Sequence, residues 1–300
     1  MNISKQLHAT EPISPLRQRM IDDMSMRRLT PRTQSDYLRH VKRFSELFGH
    51  SPHKATAEDL RQYQLHLVSS GVKSPSINAV ITALRFLFTI TLDRKEAAKK
   101  LCPIHEPRIL PEVLSPEEVA RAINATYAFK YKAVLSVAYG TGLRAKEVCH
   151  LRINNIDSAN MVLHVEQGKG SKDRLAMLSL PLLTILRRWW CLARKQGLIR
   201  EGGWLFPGQN PVNPVSERQL NRVCHAAACL AGIKKRVSMH TFRHSFATHL
   251  LDQGVDIRVI QVLLGHQDIR STARYSRVAT HILHETTSPL DTLQLVLNDS

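Results

Sequence analysis

Apolar and polar positions along the first hundred residues alternate with the period of a helix, and turn residues interrupt them at regular intervals. The spacing predicts four helices over residues 16–98. The first covers 16–29. The second opens at Thr30-Pro31, a capping residue followed by a proline in the first turn. Its Tyr37, Val41, Phe44 and Phe48 repeat at four, three and four positions and so share one face. The third opens at Thr56, with Asp59 completing an imperfect capping box, buries Leu60, Tyr63 and Leu67, and stops at Gly71. The fourth opens at Ser74-Pro75 and aligns Ile77, Ile81, Leu84 and Phe88. The polar faces of this unit carry Arg32, Arg39, Lys42, Arg43, Lys73 and Arg85, a set suited to a phosphate backbone.

Residues 99–113 read as a linker. Pro103, Pro107 and Pro111 exclude a continuous helix and favour an extended strap. A second domain opens at Ser115-Pro116-Glu117-Glu118, a capping box with proline in the first turn. It reads as mostly helical with one small sheet. A β-hairpin is predicted from 161–166 and 174–178, with Lys169 at its tip between Gly168 and Gly170. Helices follow over 181–194, 216–230, 240–253 and 256–264, with a short extended piece at 204–206.

Charge narrows the partner. The 300 residues carry a formal net charge of +17 and a pI of about 10.1. Residues 12–105 hold 16 Lys/Arg against 8 Asp/Glu, and residues 106–300 hold 25 against 16. The excess lies in both halves, as expected of two domains gripping one polyanion. Five scattered cysteines form no CxxC pair, which fits reduced thiols in a cytosol. No apolar run approaches the ~20 residues of a spanning helix, and the N-terminus lacks the apolar core of a signal peptide. A soluble protein of the cytoplasm, associated with the nucleoid and not with a membrane, is expected.

The candidate chemistry lies between Thr141 and Tyr275. Thr141-Gly142-Leu143-Arg144, Gly168-Lys169-Gly170, His240-Thr241-Phe242-Arg243, Leu264-Gly265-His266 and Tyr275 supply two arginines, a lysine, two histidines and a phenol. Guanidinium groups offer a planar fork to phosphate oxygens. A lysine on a mobile tip can donate a proton, a histidine can accept one, and a tyrosine can attack phosphorus. His240 and Arg243 share one face of a helix's first turn, where free N–H groups favour an anion. Lys172 rivals Lys169 at the same hairpin. His281 and His284 read as surface residues, Cys224 and Cys229 as core, and Trp189 and Trp190 as packing residues within a basic helix.

Taken in order, these motifs resemble the tyrosine recombinases, the lambda-integrase-like family, and most closely the short bacterial integrase and Xer-type members. The resemblance covers nearly the whole chain, including Leu29-Thr30-Pro31-Arg32-Thr33 followed by Tyr37. It implies a mainly α fold: an N-terminal four-helix SAM-like core-binding domain (14–98), a linker (99–113), a mostly helical catalytic domain with a small antiparallel sheet (114–285) and a C-terminal tail (286–300). It implies that Arg144 and Arg243 hold the scissile phosphate, that Lys169 protonates the leaving 5′ oxygen, and that His240 takes the tyrosine proton. His266 is implied to hydrogen-bond the phosphate, Tyr275 to be the nucleophile, and Glu147 to orient the site. The 71 residues from Lys169 to His240 leave no room for the extra helix of integron integrases.

The activity implied is site-specific recombination, such as a mobile element uses for integration, through a 3′-phosphotyrosyl intermediate with no cofactor and no metal. The partners implied are double-stranded DNA bearing a specific site and a homotetramer on two duplexes, with room for an accessory or partner recombinase. An apolar set in the tail (Val278, Ile282, Leu283, Leu290, Leu293, Leu297) is suited to dock on a neighbouring protomer or, as the alternative, to fold back on its own domain. The rival readings are a type IB topoisomerase, which reseals the same strand, and a non-catalytic DNA-binding regulator of recombinase descent.

Overall fold

A computed structural model describes residues 14–105, 112–166, 173–200, 202–265 and 287–293. The chain divides into two compact units at residues 109 and 110.

The first unit is helical. Helix α1 spans Pro15–Met26, α2 Pro31–Phe48, α3 Ala57–Ser69, α4 Ser74–Phe86 and α5 Lys95–Ala98. The Thr30 hydroxyl accepts from the Thr33 N–H, and Pro31 fills the first helical position of α2. Thr56 and Asp59 form a complete reciprocal box, with Thr56 N–H donating to Asp59 Oδ2 at 2.6 Å and Asp59 N–H to Thr56 Oγ1 at 3.1 Å. Aspartate therefore serves where glutamate is usual. The expected helix over 16–29 ends early, because Arg28 turns into the left-handed region (φ 52°) before Thr30-Pro31 starts α2. The expected fourth helix changes character: residues Leu87–Thr91 form a π-helical turn, which keeps Phe88 in the core. Phe44 is the centre of that core, edge-on to both Tyr63 and Phe88.

The strap after α5 is pinned to the first unit by side-chain amides. Gln64 exchanges two hydrogen bonds with the Cys102 backbone (2.6 and 3.0 Å), and Asn78 exchanges two with Ile104 (2.9 and 2.8 Å). These amides replace the strand neighbour that an extended segment otherwise lacks.

The second unit holds α6 (Pro116–Asn124), α7 (Phe129–Thr141), α8 (Ala145–Cys149), α9 (Leu180–Lys195), α10 (Glu217–Leu230), α11 (Met239–Asp252) and α12 (Ile257–Leu264). Three antiparallel strands, β1 (Ile156–Asp157), β2 (Val162–Val165) and β3 (Arg174–Met177), form one sheet in that order. Leu163 pairs with Ala176 and Val165 with Arg174, which sets the register of the predicted hairpin. Helix α7 is the centre of the unit, with residues 132–141 all buried. Helices α9 and α11 pack on it.

The tail returns to this centre. Residues Pro289–Thr292 form a 3₁₀ turn against α7 and α9. The Ser288 hydroxyl donates to the Gly140 carbonyl at 3.0 Å, and Leu290 is 1% exposed over Gly140. Leu290 and Leu293 pack against the core of their own unit, the fold-back arrangement of the two weighed for the tail. The reason is local: Gly140 leaves a hollow on α7 that Leu290 fills. The other four apolar tail residues lie outside the described residues. Among the described residues no helix is long and apolar enough to cross a membrane.

Candidate active site

The turn after α7 explains the Thr-Gly-Leu-Arg motif residue by residue. Thr141 returns its hydroxyl to the Val137 carbonyl (2.6 Å) and accepts from the Leu143 N–H (3.3 Å). Gly142 caps α7 in the left-handed region at φ 63°. A β-carbon there would lie 2.5 Å from Phe246 and 2.9 Å from Leu264, so neither the backbone angle nor the space admits a side chain. Leu143 is fully buried. Arg144 then takes the extended N-cap position of α8, and its backbone N–H donates to Glu147 Oε2 at 2.8 Å.

Glu147 is the hub. Its side chain is 6% exposed and is bound by two guanidinium groups, Arg144 Nη1 on Oε1 at 2.9 Å and Arg174 Nη2 on Oε2 at 2.7 Å. Arg243, from α11, adds a third guanidinium at only 5% exposure. The three arginines meet at the C-terminal end of α12 and divide its last carbonyls among them. Arg174 Nη1 donates to Leu263 O (3.2 Å), Arg243 Nη2 to Leu264 O (2.7 Å) and Arg144 Nη2 to Gly265 O (3.1 Å). Arg243 Nη1 also donates to Gly142 O at 2.6 Å, tying the two glycine turns together. Carbonyls at a helix C-terminus carry partial negative charge, so cations belong there.

Three cations around one carboxylate leave an excess of two positive charges. Burial, followed by the nearby Arg144 and Arg174 charges, pushes the Arg243 guanidinium down to about 10, and Glu147 opposes that fall. Arg174 is likewise lowered, chiefly by burial. Both stay protonated near neutral pH, and an incoming anion would relieve their repulsion.

His240 lies at the exposed start of α11, one turn before Arg243. Ser238 and Thr241 cap that turn reciprocally (3.1 and 3.3 Å), which fixes where His240 stands. The His240 ring lies 6.3 Å from that of His244. Burial, His240 and Arg243 together lower the His244 imidazole. Arg144, Glu147 and Arg243 therefore converge, with His240 on the same helix as Arg243. Lys169 and its rival Lys172, His266, Tyr275, His281 and His284 lie outside the described residues. Among the described residues no group of three or more His, Cys, Asp or Glu stands close enough to hold a metal.

Arg174 is the member that the motifs missed. An arginine opening a strand otherwise made of Leu, Ala and Met was the available signal. In the first unit Arg32, Arg43 and Lys73 are exposed. Arg39 pairs with Asp36 at 2.7 Å and Lys42 with Glu46 at 3.8 Å, both on the surface. Arg85 is half-buried and donates to Leu101 O at 2.6 Å, so it also holds the strap. Trp189 and Cys224 are core residues, whereas Cys229 is exposed.

Residues 112–281 match the phage integrase family, and residues 16–97 match the phage integrase N-terminal SAM-like domain. The chain belongs to the phage integrase family of tyrosine recombinases. It is 41% identical over 290 residues to the provisionally named integrase/recombinase y4qK of Sinorhizobium fredii, covering 95% of this chain and 92% of that one. It is 36% identical to tyrosine recombinase XerA of Pyrococcus furiosus, covering 79% and 80%. The fold is similar to that of the XerH recombinase bound to its difH substrate (TM-score 0.65, 20% identity, 90% of this chain and 85% of that chain). It is also similar to that of a lambda integrase dimer on a core site (TM-score 0.66, 17% identity, 84% and 94%). Tyrosine recombinases are site-specific enzymes that cleave and rejoin DNA, and that is the enzyme class of this chain.

Proposed function

We propose that the chain recombines DNA at a specific site through a covalent 3′-phosphotyrosyl intermediate. The observation that carries this reading is the cluster of Arg144, Arg174 and Arg243 around the buried Glu147, with its excess of positive charge. Such a cluster suits a phosphate whose non-bridging oxygens gain charge as a fifth oxygen approaches. Arg144 and Arg243 hold those oxygens, and Glu147 keeps Arg144 in register. The Tyr275 oxygen attacks phosphorus while His240 accepts the phenol proton. The P–O5′ bond breaks, and Lys169 gives the leaving 5′ oxygen its proton. His266 adds a hydrogen bond to the phosphate. The 5′-hydroxyl of a partner duplex then attacks the phosphotyrosyl bond, and Tyr275 leaves with its proton restored. One phosphodiester is exchanged for another, so the sequence of steps calls for no ATP, and the side chains supply the cations.

Residues 14–98 act in this reading as the DNA-gripping unit and 114–285 as the catalytic unit, with 99–113 between them and 286–300 as a tail. Arg32, Arg39, Lys42, Arg43, Lys73 and Arg85 contact phosphates. Four protomers on two duplexes perform the exchange in the cytoplasm, on nucleoid DNA, with an accessory protein or second recombinase as a further partner. Transfer between two duplexes separates this from topoisomerase-like relaxation of one.

The test starts from DNA recovered covalently bound to the protein in cells, rebuilt as a nicked duplex. Incubation in EDTA is expected to trap a covalent complex with the wild type and none with Tyr275→Phe. A trapped complex that persists in Tyr275→Phe, or that forms only when a divalent metal is restored, would overturn the proposal.

A further inference from the structure

Arg174 bridges Glu147 and the C-terminal end of α12. One Nη holds Glu147, which fixes Arg144, and the other holds Leu263 O in the last turn of α12, just before Gly265. Its shaft lies against Gly265. A β-carbon at Gly265 would come within 2.5 Å of Nε and 2.7 Å of Cδ, so arginine and glycine interlock. Arg174 also opens β3, the strand that leaves the hairpin carrying Lys169.

This arginine is a poor choice for stability alone. Its Nε is buried with no hydrogen-bond partner among the described residues, and its side chain is only 14% exposed. Its charge lies beside two other guanidiniums. An apolar side chain would fill the same space without desolvating a charge, and such replacements of buried ion pairs are often neutral or stabilising. What an apolar side chain cannot do is grip a carboxylate and a helix terminus at once. The planar fork of arginine does this, and the single ammonium of lysine does not.

From this geometry we infer that Arg174 is a positioning residue of the recombination reaction. It locks Glu147 and the end of α12 in one frame, so that Arg144 and Arg243 meet the phosphate together. The inference rests on the proposed phosphotyrosyl chemistry for its consequence and on the hydrogen bonds of Arg174 for its mechanism. A misplacement of about 1 Å in such a frame lowers a rate by about 100-fold.

The experiment compares wild type, Arg174→Lys and Arg174→Ala on the nicked duplex recovered as above. At saturating DNA both variants are expected to form covalent complex about 10- to 100-fold more slowly, with DNA affinity within about threefold of wild type. Millimolar guanidinium is expected to restore part of the Arg174→Ala rate and none of the Arg174→Lys rate, where the ammonium occupies the space. Rates within threefold of wild type in both variants would overturn the inference. So would a loss of rate matched by an equal loss of DNA affinity with no guanidinium rescue, since that marks a structural residue only.

A second readout does not depend on turnover. Inorganic sulfate, as a phosphate analogue, is expected to raise the melting temperature of the wild type more than chloride does at equal ionic strength. Both variants are expected to lose most of that response. A sulfate response absent from the wild type, or fully kept in the variants, also overturns the inference. A wild type that responds to sulfate but never forms a covalent complex would overturn the phosphotyrosyl proposal and leave the role of Arg174 standing.

Discussion

Glu147 shows how much of a cluster can rest on one carboxylate. Its carboxylate is nearly buried and binds two guanidiniums, so removing its charge leaves three cations facing one another. Breaking a buried ion pair from one side typically costs about 3–5 kcal/mol. Glu147→Gln is expected to lower the urea-unfolding free energy by about 3 kcal/mol, and to do so less in sulfate, where an anion replaces the lost charge. His249 carries a different charge effect. It is 9% exposed and shares a 2.8 Å hydrogen bond between Nδ1 and the Tyr139 hydroxyl. Burial lowers its imidazole against the opposing pull of the Leu114 backbone, Asp252 and Glu117. The unfolded chain then holds this proton more tightly than the folded one, so stability rises with pH. The contribution is complete above the unfolded value of about 6.5 and is lost as pH falls below it. Urea midpoints at pH 5.5 and 7.5 are expected to differ less in His249→Gln than in the wild type. His40 and His244, both also lowered, leave a residual slope.

Elements are legible in a sequence when one face is apolar and an end is marked. Helices α2 and α3 meet both conditions through Thr30-Pro31 and the Thr56–Asp59 box, and α6 opens on a second reciprocal box between Ser115 and Glu118 (2.8 and 3.2 Å). Helix α7 meets neither condition. It is buried all round, so no polar stripe reports its period, and no side chain caps its start. The π turn at Leu87–Thr91 was hidden because an extra residue in a helical turn leaves no mark on the apolar spacing. Strand β1 is two residues long, too short for alternation to register. Within the site, Arg144, Glu147 and Arg243 stand in recognisable motifs, and Arg174 does not, because what it holds is a carboxylate 27 positions away. Gly142 links the element scale to the site, since it both ends α7 and gives Arg243 a carbonyl. Gly142→Ala combines a left-handed backbone with contacts to Phe246 and Leu264 under 3 Å. A destabilisation of more than about 2 kcal/mol in thermal or urea unfolding is expected, with a matching loss of DNA cleavage.

For the whole molecule, the excess charge is spread over both units, and so binding should depend steeply on salt. Each phosphate contact contributes about −0.9 to the slope of log K against log salt. Arg32→Ala, Arg43→Ala and Lys73→Ala are each expected to reduce that slope by about 1 without changing which sequence is preferred, as measured by fluorescence anisotropy across a salt series. The ion pairs of Arg39 with Asp36 and Lys42 with Glu46 are exposed, worth about 0–1 kcal/mol, and easily traded for phosphates. Arg85→Ala is the variant expected to act twice, because its guanidinium also grips Leu101 O.

The seat of Leu290 on Gly140 has a consequence of its own. The hollow is keyed to the absence of one methyl group: a β-carbon on Gly140 would sit 3.1 Å from Leu290 and 3.5 Å from Leu182. Alanine at that position would push Leu290 aside by a few tenths of an ångström while leaving Arg144, Glu147, Arg174 and Arg243 chemically unaltered. The fit of the Ser288–Leu293 turn on α7 is thus set by the volume of a single methyl group.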